Sequence, residues 1–214
     1  MSRTSDSSSS GPPRRPTRER IVRAAVHLFQ ANGFHATGVV EILARAEAPK
    51  GSLYHHFPGG KEQLGIAALN WLQGEVTGFL DALLAGGEGP FAMVRGLVRH
   101  TIQGLRNPER ARGSLLAILA QEAAPDSQGV HTALIEYLEA IRRRLIEACD
   151  RDGVADSELF ADHALALLQG GAVLARIGRR PEALEALVEA WLASFPHEVA
   201  GRKSDHLRKP RGAR

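Results

Sequence analysis

Apolar side chains recur every three or four residues in one segment of this chain after another, and Gly or Pro residues separate the segments. The first segment has the spacing of one helix face, with apolar residues at Ile21, Ala24, Ala25, Leu28 and Phe29. The composition agrees, because 32 Ala and 26 Leu stand against 27 Val, Ile and Thr, and Ala and Leu favour helices whereas β-branched residues favour strands. The chain is therefore predicted to be all-α, which excludes a β-sandwich, a barrel and a large parallel sheet.

Helix-breaking residues divide this pattern into nine predicted helices. Asn32-Gly33 ends the first helix, Pro49 begins the third, and Pro58-Gly59-Gly60 ends the third. The predicted helices cover residues 17–31, 37–46, 50–56, 61–85, 91–106, 109–123, 127–152 and 156–178, and a last helix begins at Pro181. We expect the Ser- and Pro-rich residues 1–16 and the basic residues 197–214 to form disordered tails.

The net charge of +3 conceals an uneven distribution of charge along the chain. Residues 1–60 carry +4, residues 61–200 carry −6 and residues 201–214 carry +5. Basic ends around an acidic middle indicate that any contact with a polyanion involves the ends. Tails that only keep the protein soluble would show the same pattern.

The single cysteine, Cys149, excludes an internal disulfide and a cysteine-based zinc site, and it fits a reducing cytoplasm. No apolar run approaches the ~18 residues that span a bilayer, and the N-terminus lacks the apolar region of an export signal. The scattered His residues form no metal-binding pattern, and phosphate-loop, dinucleotide and nucleophile motifs are absent from the sequence. We therefore expect a cytoplasmic protein without a membrane partner, metal, cofactor or enzyme activity.

Residues 37–56 have the layout of a helix-turn-helix, in which the second short helix enters the major groove of DNA. Gly51 allows close approach of the backbone, while Leu53 and Phe57 are predicted to anchor the second helix to the core. The polar residues predicted to be exposed are Lys50, Ser52, Tyr54, His55 and His56. On spacing alone, a small three-helix bundle with a polar surface is the favoured interpretation, because such helix pairs are common in helical proteins.

The residues themselves resemble a known family. The stretch TGVVEILARAEAPKGSLYHHF at 37–57, followed by KEQL at 61–64, is similar to the DNA-binding domain of TetR-family transcriptional regulators. The preceding helix matches as well, so the specific likeness covers about residues 17–64. The remainder matches as a helical domain of the right size and loosely resembles the YxaF/LmrA-type branch.

The resemblance implies a role for each matching residue. Thr37 would cap the second helix and touch a phosphate, and Tyr54 and Lys61 would meet further phosphates, Lys61 with help from a helix dipole. Base edges would face the backbone or side chains of Lys50, Gly51, Ser52 and His55. Leu53 and Phe57 would be core residues, and the role of His56 is left open.

The turn of the motif departs from the family. It reads Ala46-Glu47-Ala48-Pro49 where the family usually has Ala-Gly-Val-Ser. Glu47 replaces a glycine that often takes a left-handed conformation, which predicts a strained or differently shaped turn. Pro49 replaces a capping hydroxyl and removes one phosphate contact, so we expect weaker DNA binding but not its loss.

The family resemblance also implies that the long helices form a ligand-binding domain, whereas a scaffold that only dimerises is the alternative. Residues predicted to line the pocket are Phe79, Met93, Leu97, Ile118, Tyr137 and Ile141, with Gln121 and Glu122 as the polar groups that orient a ligand. Ordinary core or solvent-facing positions would explain the same residues. The acidic middle of the chain favours a cationic or neutral ligand over an anionic one.

Two adjacent helices are predicted to form a dimer interface. Residues 164–175 are apolar on almost every side, and the last helix carries an apolar stripe, so two copies would pack as a four-helix bundle across a two-fold axis. The predicted interface residues are Leu167, Gly170, Gly171, Leu174, Leu184, Leu187, Val188 and Trp191. Burial of these helices within one subunit is the alternative. A two-fold dimer would place two recognition helices about 34–36 Å apart on a palindromic site.

Taken together, these patterns predict a homodimeric regulator that binds double-stranded DNA at a palindromic operator. Residues 17–60 would be the helix-turn-helix domain and residues 61–196 the ligand-binding and dimerisation domain. The protein would be a repressor that an unknown small-molecule effector releases. The alternative is a helical ligand-binding or interaction protein whose DNA-binding face Glu47 and Pro49 impair.

Overall fold

The computed structural model describes residues 15–108 and 113–195, and these ranges contain nine α-helices and no β-strand. The helices are α1 (Thr17–Asn32), α2 (Val39–Arg45), α3 (Ser52–His56), α4 (Gly60–Ala85), α5 (Pro90–Arg106), α6 (Leu115–Glu122), α7 (Gln128–Asp152), α8 (Ser157–Ile177) and α9 (Glu182–Leu192). The predicted all-α class is confirmed. The predicted tails 1–16 and 197–214 lie outside the described residues, apart from Arg15 and Pro16.

Three predicted helices begin at least two residues later in the structure than the periodicity indicated, and residues 109–112 of the sixth predicted helix lie outside the described residues. The second begins at Val39, the third at Ser52 and the sixth at Leu115. In the last case Ser114 sets the start, because its hydroxyl accepts a hydrogen bond from the Ala117 N–H at 3.1 Å. A capping hydroxyl satisfies a backbone donor of the first turn, so it decides the boundary where hydrophobic spacing does not.

The three N-terminal helices share one core. Phe29 of α1, Ile42 of α2 and Leu53 of α3 have no exposed area, and neither has Phe57 directly after α3. The helix α1 packs against α2 and α3 on one side and against α4 on another. This shared core holds the short helix α3 in place, since five residues are too few for a stable helix alone.

The longer helices pack as a bundle in which α4 runs along α7, α7 along α8, and α8 along α9. Arginines on α7 tie it to its neighbours: Arg144 pairs with Asp81 of α4 at 2.6 Å, and Arg142 pairs with Asp162 of α8 at 2.7 Å. These pairs lie at the surface and orient the helices more than they stabilise them. No helix in the described ranges is both long and apolar enough to cross a membrane.

An exposed apolar stripe runs along α8 and α9. It consists of Val173, Leu174, Ile177 and Leu187, and we call it the α8–α9 stripe; Leu174 and Ile177 are 66% and 75% exposed. Gly170 is also exposed beside it, and Leu167 and Trp191 are partly buried.

Three of the predicted interface residues are instead buried within the subunit. Leu184 and Val188 belong to its core, and Gly171 lies so close to α9 that a Cβ atom there would come within 2.6 Å of Leu184 Cδ1. The prediction is wrong for these three because they join α9 to α8 within one chain. A periodic stripe marks a buried face without saying which neighbour covers it.

The single cysteine is enclosed by the bundle. Cys149 has no exposed area, and its burial, with smaller contributions from Asp150 and Asp152, raises the pKa of the thiol to about 12. The thiol is therefore protonated at neutral pH, and a protonated thiol is a poor nucleophile.

Candidate nucleic-acid interface

Helix α3 is anchored on one side and exposed on the other. Leu53 and Phe57 are completely buried, and the Phe57 N–H closes the helix on the Leu53 carbonyl at 2.6 Å. The exposed side carries Lys50, Gly51, Tyr54 and His55, with Ser52 half-buried among them, and we call these five residues the α3 face. Tyr54 is 64% exposed. Five of the seven residues predicted to bind DNA are thus brought together on one rigid edge.

The neighbouring histidines of α3 differ in their surroundings. The His55 and His56 rings lie 4.8 Å apart, and the His56 ring also lies 6.4 Å from the Phe57 ring. His55 is exposed and His56 is half-buried. The packing of His56 beside Phe57 separates it from the α3 face.

The turn between α2 and α3 adopts a common helix-ending shape despite its unusual sequence. The Ala48 N–H donates to the Leu43 carbonyl at 2.9 Å and the Glu47 N–H to the Ala44 carbonyl at 3.0 Å, which is the Schellman pattern. Glu47 has a φ of 48°, the left-handed conformation that usually belongs to glycine. The sequence predicted a turn that is either strained or differently shaped. The structure has the strained turn, with the usual shape.

We expect Glu47→Gly to raise the free energy of unfolding by about 0.5–1 kcal/mol, because glycine adopts a positive φ without a Cβ clash. Urea unfolding followed by circular dichroism measures this change. Glu47→Ala is the matched control, since it removes the same side chain and keeps the Cβ atom. An Ala variant as stable as the Gly variant would show that the backbone is not strained at this position.

Thr37 lies inside the structure rather than at the DNA-facing surface. It is 1% exposed, and its hydroxyl donates toward the Gly33 carbonyl at 2.7 Å and the Leu28 carbonyl at 3.2 Å. Its backbone N–H donates to the Phe34 carbonyl at 3.3 Å. The N-cap residue of α2 is Gly38. The predicted cap and phosphate contact are therefore wrong, because the end of α1 occupies the hydroxyl.

Thr37→Val is expected to lower the free energy of unfolding by about 1–3 kcal/mol, since it leaves buried carbonyls without their donor. The substitution keeps the shape and the methyl group of the side chain. Thr37→Ser keeps the hydroxyl instead, so it should cost less than Thr37→Val in the same urea titration. A Val variant as stable as the parent protein would contradict this role of the hydroxyl.

Lys61 is directed toward the loop between α1 and α2. Its ammonium donates to the His35 carbonyl at 3.1 Å and lies 4.7 Å from the centre of the Phe34 ring. Desolvation lowers the pKa of Lys61, and the charge of Glu122 partly opposes this shift. Because this ammonium is engaged within the protein, we leave Lys61 out of the candidate interface.

Glu122 is at the end of α6, where it also meets the α1–α2 loop. Its Oε2 accepts the His35 N–H at 2.9 Å, and a Cβ atom at Gly33 would come within 2.8 Å of its Oε1. The carboxylate of Glu122 thus links the two halves of the chain, and its role in orienting a ligand stays a prediction. Gln121 points into solvent.

Five of the other six predicted pocket residues belong to the buried core, and the sixth lies at the surface. Met93, Leu97, Ile118, Tyr137 and Ile141 are all buried, and burial raises the pKa of the Tyr137 phenol to about 12. Phe79 lies at the surface against Gly96. None of these residues lines the cavity described next, and their role in a ligand pocket stays a prediction.

That cavity has a volume of about 1280 Å³ and lies where the start of α5, the α7–α8 loop, the start of α8 and the end of α9 meet. Its aromatic lining is Phe91, Phe160, Trp191 and Phe195. We call it the aromatic cavity. Its residues come from separate segments that only the packing brings together, so no pattern in the sequence revealed it.

Two surface residues of the N-terminal helices did not figure in the sequence prediction. Val40 of α2 is 71% exposed although it is apolar, and the Arg18 guanidinium lies 5.2 Å from the centre of the Phe57 ring, at the end of α3. A signal existed for Val40, since it falls outside the apolar spacing of its helix. Arg18 adds a positive charge beside α3.

Comparison with known proteins adds to this geometry. Residues 21–68 match the family described as bacterial regulatory proteins, tetR family, and residues 90–190 match the C-terminal domain described as transcriptional regulator LmrA/YxaF-like. The chain is 30% identical over 160 residues to the HTH-type transcriptional regulator YxaF of Bacillus subtilis (strain 168), which covers 74% of this chain and 84% of YxaF. It is 31% identical over 168 residues to LmrA of the same organism, covering 74% and 85% of the two chains.

A solved structure of the TetR-family regulator CifR, a cysteine mutant in complex with 26-bp operator DNA, has a TM-score of 0.67. It is 28% identical in sequence and covers 87% of this chain and all of its own. The resemblance inferred from residues 17–64 and the suggested branch are both confirmed. This chain belongs to the TetR family of bacterial transcriptional regulators, in its LmrA/YxaF-like branch, and it is a DNA-binding regulator with a helix-turn-helix.

Proposed function

We propose that this protein is a homodimeric repressor that binds a palindromic operator and that a small molecule releases. The observation that carries the proposal is the α3 face, whose polar side chains project from a helix fixed by Leu53 and Phe57. A rigid, exposed helix is what the major groove accepts. Repression is the simplest consequence, since a protein seated on promoter DNA excludes RNA polymerase.

The α8–α9 stripe supports the dimer. Its apolar side chains would remain in water in a single copy, and a contiguous apolar patch on a water-exposed surface commonly marks a protein interface. A two-fold contact of α8 and α9 with their copies would bury the stripe in a four-helix bundle. It would also present two α3 helices to DNA, with a spacing of about 34–36 Å for successive major grooves.

DNA binding and ligand sensing are assigned to two consecutive segments of the chain. We propose residues 17–60 as the DNA-binding unit and residues 61–196 as the unit that dimerises and senses a ligand. The hydrogen bond from His35 to Glu122 connects them, because it joins the α1–α2 loop to the end of α6. A ligand that binds one arrangement of α6 better than another would shift the DNA-binding units accordingly.

A footprint of the purified protein on the DNA flanking its own gene, at two salt concentrations, tests the proposal. We expect protection of a palindrome at moderate salt and weaker binding at higher salt, because phosphate contacts release counterions. The protein would act in the cytoplasm by binding rather than by catalysis. Protection without two-fold symmetry would contradict the dimeric mode.

Glu47 favours the second candidate, a helical ligand-binding or interaction protein with an impaired DNA-binding face. Its left-handed conformation costs stability in the turn, and its carboxylate is exposed beside the α3 face. Under this alternative, the footprint would show only diffuse binding that disappears at moderate salt. The same experiment therefore separates the two functions.

A further inference from the structure

The aromatic cavity is a half-open cleft that is large enough to hold a small molecule. Its volume of about 1280 Å³ exceeds the roughly 300–1,000 Å³ of common small-molecule pockets. Four separate elements form its walls, so it is a feature of the tertiary fold rather than a gap beside one helix.

Aromatic rings form a continuous wall of this cavity. The Phe160 ring lies 4.9 Å from that of Trp191 and 5.7 Å from that of Phe91, and the Phe195 ring lies 5.3 Å from that of Trp191. Phe160 is buried, whereas the other three rings are partly open. Flat rings in such a wall offer their faces to a flat apolar ligand, and those faces attract positive charge.

The charged residues of the lining are mostly acidic. Asp152, Asp156 and Glu189 contribute carboxylates, against the single guanidinium of Arg95. Arg95 and Glu189 neutralise each other through two hydrogen bonds of 2.7 and 2.9 Å, and Asp152 pairs with Arg151 at 2.8 Å. In the part of the chain that the structure describes, the Asp156 side chain makes no hydrogen bond or ion pair. Its carboxylate is thus free to meet a positive charge.

We propose that the aromatic cavity binds a flat, apolar molecule that carries one positive charge. The ring system would pack against Trp191 and Phe195, and the charge would lie toward the carboxylate of Asp156. This inference rests on the proposed function, in which a small molecule releases the protein from DNA, and it names the chemical class of that molecule.

The position of the cavity connects it to the dimer. Leu159 and His163 of its lining lie on α8, on the same side of the helix as Ile177 of the α8–α9 stripe, and Trp191 belongs to α9. Both helices of the proposed interface therefore contribute to the cavity wall. A ligand held there would change the packing of α8 on α9 and, through the dimer, the spacing of the two α3 helices.

Three probes of one shape test the charge preference: 1-methylquinolinium, its neutral counterpart 1-methylnaphthalene, and the anion 1-naphthoate. Isothermal titration calorimetry with the full chain measures the dissociation constant of each. We expect the cation to bind about ten-fold more tightly than the neutral molecule and the anion to bind least. Equal or tighter binding of 1-naphthoate, or no measurable binding of the cation, would overturn the proposal.

Two variants locate the site. Asp156→Asn should reduce the preference for the cation about five-fold, and Asn tolerates the left-handed φ of 53° at this position, so the fold is preserved. Asp126→Asn is the matched control, an exposed carboxylate outside the cavity lining, and should change nothing. Phe195→Leu removes one aromatic ring of the cavity and should weaken binding of the cation more than binding of the neutral probe. An unchanged preference in both cavity variants would place the site elsewhere.

Adding the same probes to the protein bound to its footprinted DNA separates this inference from the function on which it rests. If the cation binds, Asp156→Asn weakens this binding and the cation releases the DNA, the result supports both the proposed function and the inference about the cavity. Cation binding without any change in DNA affinity supports the cavity and its ligand class and contradicts release by this ligand. DNA binding with no probe binding supports the regulator and overturns the inference.

Discussion

Replacing Lys50 and Tyr54 together with Ala is expected to weaken operator binding by at least about 100-fold, because each charged or hydroxyl contact with DNA contributes about 1–3 kcal/mol. Both side chains are exposed on the α3 face, and the buried residues that hold α3 are unchanged. The thermal stability and the dimer should therefore be preserved. Fluorescence anisotropy with labelled operator DNA measures the loss.

The single variants refine this prediction. Tyr54→Phe removes only the hydroxyl and should show a smaller loss, whereas Lys50→Ala should also reduce the dependence of affinity on salt by about one counterion if the ammonium meets a phosphate. Arg99→Ala is the control for charge, since it removes an exposed cation on α5. An operator affinity equally weakened by Arg99→Ala would indicate a general effect of charge and contradict a role for the α3 face.

Leu174→Asp combined with Ile177→Asp is expected to convert the dimer into folded monomers and to reduce operator affinity by more than about 100-fold. Two linked DNA-binding units gain about 100- to 10,000-fold over one unit through effective concentration. The two side chains are 66% and 75% exposed in the single chain, so Asp there costs the monomer little while it places buried charges in the interface. Sedimentation velocity measures the association state.

Ile135→Asp is the matched control for the interface. Ile135 is also a large apolar residue, 50% exposed, but it lies on α7 and outside the α8–α9 stripe. This variant should remain dimeric and bind DNA as the parent protein does. If the Leu174 and Ile177 double variant also remains dimeric, the interface lies on another surface, and the spacing of the α3 helices must be derived anew.

Local sequence signals predicted the helix-turn-helix well, because that unit depends on neighbours along the chain. The burial of Leu53 and Phe57 follows from apolar residues spaced within a polar segment, and their neighbours Lys50, Tyr54 and His55 are consequently exposed. The strain at Glu47 was predictable for the same reason, since a helix followed by this turn needs one positive φ wherever it occurs.

Polar side chains at the junction of the two halves were predicted less well. Thr37 and Lys61 are polar residues at helix starts, a position where they often face solvent or phosphate. Both side chains instead donate hydrogen bonds to backbone carbonyls of the α1–α2 region. Glu122 was assigned to a pocket, but its partner is the N–H of His35, 87 positions away in the chain. Hydrogen-bond partners this distant are set by the packing of α6 and α4 against α1.

The sequence by itself determined the helical class, the approximate bounds of nine helices, and the identity of the residues on the α3 face, because helical periodicity and turn chemistry are local properties. Only the tertiary structure decided which apolar residues cover one another and which remain open. Leu184 and Leu187 stand three positions apart on one apolar stripe, but α8 covers Leu184 and leaves Leu187 40% exposed. The aromatic cavity arose in the same way, since its rings meet only when α5, α8 and α9 pack together.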